Sequence, residues 1–326
     1  MNNLYNISNN FIQYSDVKSR LVVSGEKKRN PKVSILMPIY NHYEFLEQAI
    51  MSAINQDTEE DYEIVIVDNN HPDIQRNNED IVKRINSNKV FYYVNEKNIG
   101  PCGNWNRCIE LATAEYITFC HDDDMLTPNA ISQLLSYIDK KAPYRSVVGS
   151  NVRINSKSVV ISKKTHTLAN HFAYYYGSDL LAVGNPTNGC GALYHKASTI
   201  KLGGFNPNFY PCFDYAFNAL YSKHYGLLKI PAATFLYRVS EKSDSSQCYT
   251  EIPQISNVIV NNVLGTISCF KWICEKAAQT SIRMGEAQSK QIWEHKCTKP
   301  SFMDRVFLSL YVRSCTIVSI MKRLIK

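Results

Sequence analysis

The sequence predicts an α/β fold in which a mostly parallel β-sheet is flanked by helices. Short apolar runs alternate with helical stretches from Pro31 to about residue 130, at the spacing of successive βαβ units. Residues 62–68 form an almost unbroken apolar run, which is typical of a strand buried on both faces of a sheet. A polar cluster follows each of these runs, where the strand ends. A chain of 326 residues can bury a full core, as one large domain or as one domain with an appendage.

The first half of the chain shows the alternation most clearly. The predicted strands are residues 33–38, 62–68, 90–94 and 116–120. The predicted helices are residues 44–55, 80–86, 104–112 and 129–139. Ahead of them, residues 1–30 are polar, rich in Asn and then basic, and they show no clear periodicity. We expect this segment to be an arm that packs loosely on the surface.

The second half gives weaker signals and a mixed set of elements. The predicted strands are residues 147–152, 159–162, 227–231 and 234–237. Residues 163–187 are irregular, and residues 188–194 are expected to form a turn that leads into a strand. We expect a helix from Phe213 to about Lys223, and helical structure after about Ser246. These signals divide the sequence into an N-terminal arm, a main domain with two halves, and a helical C-terminal region: residues 1–30, 31–246 (31–130 and 131–246) and 247–326.

Composition and charge narrow the class of protein. The net charge of +7 is mild, so it allows attraction to nucleotides or anionic lipid and does not require nucleic acid as a partner. Ten cysteines without a C-x-x-C pair are typical of reduced thiols, and the histidines do not cluster with them into a zinc site. The N-terminus lacks a secretory signal, and no apolar stretch approaches the roughly 20 residues of a membrane span. We therefore expect a cytosolic protein.

Polar clusters follow the first four predicted strands. They are residues 38–41, 68–70, 95–98 and 121–124. Parallel strands end at one edge of a sheet, and ligands bind α/β sheets at that edge. The clusters therefore predict a single binding site.

The strongest candidate within this site is the stretch I-T-F-C-H-D-D-D-M-L at residues 117–126. Its three adjacent carboxylates, Asp122, Asp123 and Asp124, repel one another unless a cation lies there. Carboxylate and phosphate oxygens are the ligands that Mg²⁺ and Mn²⁺ prefer, so the triplet predicts one of these ions bridging a diphosphate. The alternative is a local role, in which Asp124 or Thr127 caps the helix that follows.

Further polar residues at this edge could hold a nucleotide. Asp68 ends a buried strand and could accept a hydrogen bond from a nucleobase N–H, or could bond only its own turn. Asn98, Asn106 and Arg107 lie where a helix opens, and a helix N-terminus favours an anion such as a diphosphate. The alternative for that stretch is ordinary capping by Asn104, with the neighbouring Trp in the core.

Two candidates lie in the second half. Asp214 occupies the apolar stretch 209–217, where desolvation would raise the pKa of its carboxyl as a general base requires. It could instead cap the helix that follows. Arg238 and Ser243 belong to a polar, cationic segment after a strand, which could close over phosphates or form a solvated loop.

The last segment, residues 302–326, interleaves apolar and basic residues. Arg313 interrupts any run that could cross a bilayer. The pattern is typical of a helix that lies in the membrane surface, drawn by anionic lipid and apolar burial. A helix docked on the core, or a dimer seam, would show the same pattern.

Four blocks of the first half occur together in a known family. They are V-S-I-L-M-P-I-Y-N, E-I-V-I-V-D-N-N, N-I-G-P-C-G-N-W-N-R and Y-I-T-F-C-H-D-D-D-M-L-T-P. In order and spacing, over about residues 32–130, they resemble the nucleotide-sugar half of family 2 glycosyltransferases of the bacterial surface-polysaccharide type. The resemblance implies a GT-A fold, here with a C-terminal helical extension. It also implies an inverting enzyme that uses Mn²⁺ or Mg²⁺ and a nucleotide-diphosphate sugar, which on family grounds is a UDP-sugar.

The resemblance implies roles for single residues. The positions that the family uses for the base and ribose are matched by Pro38, Tyr40, Asp68 and Asp122. Asp123 matches the usual metal ligand, with Asp122 and Asp124 as neighbours that could join it. Asp214 matches the general base, although the residue before it is Phe instead of the family's Glu. The sequence also departs from the family at His121, where the metal motif usually begins with Asp.

The resemblance reaches about residue 246. Beyond it, the basic and apolar terminal helix is consistent with enzymes that extend a glycan on a polyprenyl diphosphate at the inner face of the cytoplasmic membrane. Two other functions remain open. A sugar-phosphate nucleotidyltransferase would normally show a Gly-rich basic loop after the first strand, whereas residues 38–42 contain neither Gly nor Lys. A non-catalytic, membrane-docked nucleotide-sugar binding module would not need Asp214 together with the acidic triplet.

Overall fold

A computed structural model of the chain describes residues 3–26, 30–40, 43–161, 171–239, 248, 250–267, 271–293 and 301–324. Ten strands of these residues form one sheet: β1 Ser19–Val23, β2 Val33–Ile39, β3 Tyr62–Asp68, β4 Val90–Asn95, β5 Tyr116–Phe119, β6 Met125–Leu126, β7 Ser146–Ile154, β8 Tyr174–Tyr175, β9 Ala192–His195 and β10 Leu227–Arg238. The same residues contain ten α-helices: α1 Tyr43–Ile54, α2 Pro72–Ile85, α3 Gly100–Leu111, α4 Ala130–Leu135, α5 Ser178–Leu181, α6 Lys196–Lys201, α7 Phe213–Tyr225, α8 Glu251–Leu264, α9 Lys271–Trp293 and α10 Phe302–Leu324.

The sheet is mixed and has a parallel centre. Its strand order is β1-β4-β3-β2-β5-β9-β7-β10-β6, and β8 pairs with β10. The strands β4, β3, β2 and β5 run parallel to one another, and β7 runs parallel to β10. The remaining pairings are antiparallel. The predicted α/β class, a mostly parallel sheet flanked by helices with a helical C-terminal extension, is confirmed.

Alternate residues of the central strands pack against opposite layers of helices. In β3, Ile64 and Ile66 belong to the core beneath α1, α2 and α4. Val65 and Val67 belong to the core on the other face, which includes α3, α7 and α8. All seven residues of β3 are buried, so the unbroken apolar run of this strand results from the covering of both faces.

The N-terminal segment is integrated more tightly than expected. β1 pairs antiparallel with β4, with Ser19 opposite Asn95, and so extends the sheet. Leu4 and Val17 are buried. The expectation of a loosely packed arm is therefore wrong for these residues, because backbone hydrogen bonds to a sheet edge order a segment that lacks apolar periodicity.

Other differences from the predicted elements are local. α2 begins at Pro72, well before the expected residue 80, with the proline in its first turn. The two strands expected over 227–237 are the single strand β10, which carries register shifts between Lys229 and Phe235. In place of the strand expected at 159–162, Val160 forms an isolated bridge; residue 162 lies outside the described residues.

The C-terminal helices pack on the main sheet domain. α8 contacts α5 and α7, and α10 contacts β8, α5 and α9. The buried Tyr311 of α10 donates a hydrogen bond to the backbone oxygen of Asp179, at 3.3 Å. In the part of the chain that the structure describes, no helix is both long and apolar enough to cross a bilayer. The eight cysteines in that part are all free thiols.

Candidate active site

A cleft of about 700 Å³ opens where the parallel strands of the sheet end. Its first wall contains residues from each of the four clusters that follow β2, β3, β4 and β5, which are Pro38, Tyr40, Asn69, Asn98, His121, Asp122 and Asp123. Its second wall comes from β7, β10, the segment 185–188 and the start of α7. The structure thus brings together the clusters that the sequence analysis expected at one edge.

The three aspartates after β5 have three different environments. Asp122 accepts a hydrogen bond at Oδ2 from the backbone N–H of Tyr40, at 2.9 Å, which ties the acidic loop to the end of β2. Asp124 is buried, and its Oδ1 accepts from the backbone N–H of Arg238, at 2.8 Å. Asp123 is less buried than the other two and lines the cleft. The loop is therefore anchored at both ends, with Asp123 between the anchors.

His121, Asp123 and Asp124 together could hold a metal ion, since one ligand atom from each lies within 4.8 Å of the others. The Oδ2 atom of Asp124 and the Nε2 atom of His121 are buried and have no hydrogen-bond partner among the described residues. Among the described residues, Oδ2 forms an ion pair with His121 Nδ1, at 3.3 Å. Buried polar atoms are normally satisfied, and an oxygen-rich set of this kind suits Mn²⁺ or Mg²⁺. The residues present therefore fit a divalent cation.

The electrostatics of the loop also favour positive charge. Burial opposes protonation of His121, but its ion pair with Asp124 and the negative charge of Asp123 outweigh burial and raise the pKa of the imidazole to about 9. A cation that takes the imidazole as a ligand would have to displace this proton.

The floor of the cleft is aromatic. Trp105 stacks on Phe119 with ring centroids 4.4 Å apart and meets Phe213 edge-on at 4.9 Å. Gly189 lies directly on the indole: its φ is +91°, and a Cβ there would come within 2.7 Å of the Trp105 ring. A glycine is required at this position for both reasons.

Asp214 lies in the first turn of α7 and faces the same cleft. Burial raises the pKa of its carboxyl from 3.8 to about 6. The rise is limited by the backbone N–H of Tyr215, by the positive charge of His121 and by a hydrogen bond from Asn185 Nδ2, at 2.8 Å. A carboxylate with such a pKa is ionised at neutral pH and holds a proton more firmly than an exposed aspartate, which suits a general base.

Asp68 does not line the cleft. It is fully buried and accepts hydrogen bonds from the Tyr92 hydroxyl at 2.6 Å, from Asn78 Nδ2 at 2.8 Å and from the backbone N–H of Asn70 at 2.8 Å. In the structure, both oxygens of its carboxylate are thus engaged in hydrogen bonds with neighbouring residues of the fold. The residue that follows it, Asn69, lines the cleft instead and donates to Asn98 Oδ1, at 2.8 Å.

Asn106 and Arg107 also lie away from the cleft. Asn106 exchanges two hydrogen bonds with the backbone of Phe205, at 2.8 and 2.9 Å. Arg107 donates to the backbone oxygens of Tyr14 and Val17, at 2.9 and 2.8 Å. Their polar groups therefore hold the N-terminal segment and the turn before α7, and the structure does not bring them to a nucleotide site.

Arg238 is fully buried behind the acidic loop. Its Nε donates to the backbone oxygen of Asp123 at 2.7 Å, and its Nη2 donates to Gln48 Oε1 at 3.0 Å. The guanidinium also packs over the Phe45 ring, 4.1 Å from its centroid. It fixes the loop and does not reach the cleft as a phosphate ligand; Ser243 lies outside the described residues.

Several cleft residues were not singled out from the sequence. Asn185 lies in the irregular stretch and Asn188 at the start of the turn that follows it, so no periodic pattern marked either residue. Arg153 and Asn151 also line the cleft, and they occupy alternate positions of β7. Their period of two on a recognised strand is the signal that could have placed both on the cleft side.

The mixed sheet with a parallel centre, and with an acidic loop at the carboxyl ends of its strands, has the architecture of a GT-A-type fold. The sequence model of the family described as "Glycosyl transferase family 2" matches residues 34–203, more than half of the chain. The chain therefore belongs to glycosyl transferase family 2.

Two individual relatives each match about a third of the chain. A "GalNAc(5)-diNAcBac-PP-undecaprenol beta-1,3-glucosyltransferase" of Campylobacter jejuni is 35% identical over 108 residues, which are 32% of this chain and 34% of that protein. "Abequosyltransferase RfbV" of Salmonella typhimurium is 31% identical over 111 residues, 34% of this chain and 33% of that protein. The chain thus spans about a third of the length of these relatives.

Solved structures share the fold over most of the chain. The mannosyltransferase PcManGT from Pyrobaculum calidifontis, in complex with GDP-Man and Mn²⁺, superposes with a TM-score of 0.58 at 14% identity and covers 94% of this chain and 90% of its own. S. aureus TarS 1-349, in complex with UDP-GlcNAc, superposes with a TM-score of 0.57 at 14% identity. The match covers 86% of this chain and 79% of the TarS chain. At this identity the likeness shows the GT-A fold alone.

Proposed function

We propose that the protein is an inverting glycosyltransferase that moves a sugar from a UDP-sugar to a hydroxyl of a glycan acceptor, in the synthesis of a bacterial surface polysaccharide. The observation that carries the proposal is the pairing, in one cleft, of the acidic loop after β5 with an aspartate of raised pKa at the start of α7. The acidic loop suits a leaving diphosphate, and the aspartate suits an attacking hydroxyl.

The donor side of the proposed site is the first wall of the cleft. Pro38, Tyr40 and Asn98 line this wall and would contact the nucleoside, and Asn69 lines the cleft in place of the expected Asp68. Asp123, with Asp124 and His121, would hold Mn²⁺ or Mg²⁺; when bound, the ion neutralises charge that develops on the departing diphosphate. Asp122 would keep the loop on β2 through its bond to Tyr40.

The acceptor side is the second wall. Asp214 would remove the proton of the acceptor hydroxyl as its oxygen attacks the anomeric carbon. In a direct displacement the attacking oxygen enters opposite the leaving group, so configuration inverts. The aromatic floor excludes water beneath the reacting atoms, which strengthens the interaction between fixed charges in the cleft.

A lipid-linked acceptor is supported by α10. One face of this helix is docked through Tyr311, while Met303, Leu310, Ile317 and Met321 form an apolar stripe, defined here as the α10 stripe, that is 41–69% exposed. The exposed Arg313 lies next to it. We propose that the α10 stripe enters the inner face of the cytoplasmic membrane, where a polyprenyl diphosphate carries the glycan. The Campylobacter relative is named for an undecaprenol-linked substrate of this class.

The activity is tested by incubating the protein with Mn²⁺, a panel of UDP- and GDP-sugars, and short glycans on polyprenyl diphosphate. We expect nucleoside diphosphate to be released only when acceptor is present, and the product to have the anomeric configuration opposite to the donor. Chelation by EDTA should abolish release, and added Mn²⁺ should restore it. Release of pyrophosphate from a nucleoside triphosphate and a sugar phosphate would instead indicate a nucleotidyltransferase.

The membrane contact is tested with vesicles of phosphatidylglycerol and phosphatidylcholine. The double variant Leu310→Ser/Ile317→Ser should sediment less with the vesicles, while Ser309→Ala, at an exposed position outside the α10 stripe, should behave as the wild type. If the double variant instead dissociates a dimer in sedimentation velocity without losing vesicle binding, the α10 stripe is a dimer seam and the membrane proposal fails.

A further inference from the structure

Behind Asp214, a chain of side-chain hydrogen bonds runs into the core. Asn185 Nδ2 donates to Asp214 Oδ2 at 2.8 Å, and Asn218 Nδ2 donates to Asn185 Oδ1 at 2.8 Å. The hydroxyl of Tyr194 donates to Asn218 Oδ1 at 2.6 Å. Asn218 and Tyr194 are both buried. The carboxylate at the cleft is thus connected through three side chains to the centre of the fold.

The direction of this chain is fixed by a backbone carbonyl. Asn218 Nδ2 also donates to the backbone oxygen of Thr187, at 3.1 Å, and a carbonyl can only accept. That contact identifies the nitrogen of the Asn218 amide, so the Asn185 atom facing it must be the oxygen. The remaining Asn185 atom is then the NH₂ group, and it points an N–H at Asp214. This chain of hydrogen bonds therefore presents an N–H donor to Asp214, and a carboxylate oxygen accepts such a bond.

The segment that carries Asn185 is itself held rigidly. Lys229 Nζ donates to the backbone oxygens of Pro186, at 3.0 Å, and of Gly149. Thr187 Oγ1 donates to the backbone oxygen of Cys190, at 2.9 Å. These bonds join residues 185–187 to β7 and β10, so Asn185 is presented from a fixed frame and not from a loose loop.

We infer that Asn185, oriented by Asn218 and Tyr194, is a positioning residue that fixes the Asp214 carboxylate for proton transfer from the acceptor. This inference rests on the proposed role of Asp214. A carboxylate pinned at Oδ2 cannot rotate about its Cβ–Cγ bond, so its other oxygen keeps one direction. Positioning of this kind contributes to rate because a small misalignment of the reacting groups is costly.

Two isosteric variants separate the donor from the shape of the side chain. Asn185→Leu removes the N–H and leaves Asn218 bonded to Thr187. Asn185→Asp keeps the shape and places a second carboxylate against Asp214. The matched control is Ser222→Ala, in the same helix as Asp214 but farther along α7 from the cleft. This substitution removes the hydrogen bond that Ser222 Oγ donates to the backbone oxygen of Tyr176, at 3.1 Å.

We expect kcat of Asn185→Leu to fall about ten- to hundredfold, the worth of one hydrogen bond to a charged group, with KM for the donor unchanged. Asn185→Asp should be slower still at pH 7 and should recover partly as the pH rises, because like charge delays ionisation of the pair. Ser222→Ala should keep the wild-type kcat. Unfolding midpoints in urea, measured for each variant, exclude loss of folded protein as the cause.

A readout independent of turnover is the titration of the Asp214 carboxyl carbon, followed by ¹³C NMR and assigned with Asp214→Asn. The titratable groups near Asp214 are His121, Cys102, Cys212 and Tyr194, and none of them is changed in these variants. Loss of the Asn185 bond should raise the pKa of Asp214. An unchanged titration together with an unchanged kcat in Asn185→Leu overturns the inference. Full turnover of Asp214→Asn would overturn the proposed function instead, while the NMR result could still stand.

Discussion

Replacing Asp214 by Asn should stabilise the fold while it stops transfer. The folded state raises the pKa of this carboxyl from 3.8 to about 6, mainly because burial disfavours the charge. A group whose pKa is raised on folding stabilises the protein below its unfolded pKa and loses that contribution as the pH rises through its folded pKa. At pH 7 the ionised Asp214 therefore costs stability, and about two pKa units correspond to about 3 kcal/mol.

The uncharged amide of Asn resembles the protonated carboxyl, so the variant should recover this cost. We expect Asp214→Asn to be more stable than the wild type by up to about 3 kcal/mol at pH 7, with a gain that shrinks as the pH falls from 6 towards 4. The assay is urea unfolding at pH 4, 5, 6 and 7. The control is Asp57→Asn, an exposed position, which should change stability by less than about 0.5 kcal/mol. A variant that is no more stable at pH 7, or whose gain does not depend on pH, refutes the reasoning.

Three further predictions concern residues in the cleft or directly behind it. Arg238→Met should lower stability in urea by on the order of 3–5 kcal/mol, because it removes a fully buried cation and leaves its acceptors unpaired; a change within 1 kcal/mol would contradict the buried network. Gly189→Ala should lower stability by roughly 1–3 kcal/mol through backbone strain alone, with a further cost from the indole contact, and an unaffected melting curve would speak against that contact. Asp123→Ala should lose Mn²⁺-dependent binding of UDP in calorimetry, whereas an unchanged titration would remove Asp123 from the metal site.

The fold was largely predictable because its signals are local. A strand buried on both faces must be apolar at every position, and β3 is. The order of strands and helices in residues 31–130 could be predicted from these apolar runs. The polar cluster after each run marks where the strand ends. β1 was not predictable in this way, because an edge strand held by backbone hydrogen bonds needs no apolar pattern.

The candidate site was predictable only in part, because residue type does not reveal which way a side chain points. Asp123 and Asp214 line the cleft, whereas Arg107 and Arg238 are drawn inward to backbone carbonyls. Nothing in the sequence distinguishes an arginine that meets a phosphate from one that anchors a loop. Asn185 was not predicted for a different reason. Its inferred role depends on hydrogen-bond partners that are more than 25 residues away in the sequence.

The most direct test of the central claim is a crystal of Asp214→Asn soaked with Mn²⁺ and UDP, with data collected for anomalous scattering. We predict one anomalous peak, bound by Asp123 and by the diphosphate, with open space for a sugar between the diphosphate and residue 214. A peak away from Asp123, or a diphosphate bound with no such space, would contradict the account.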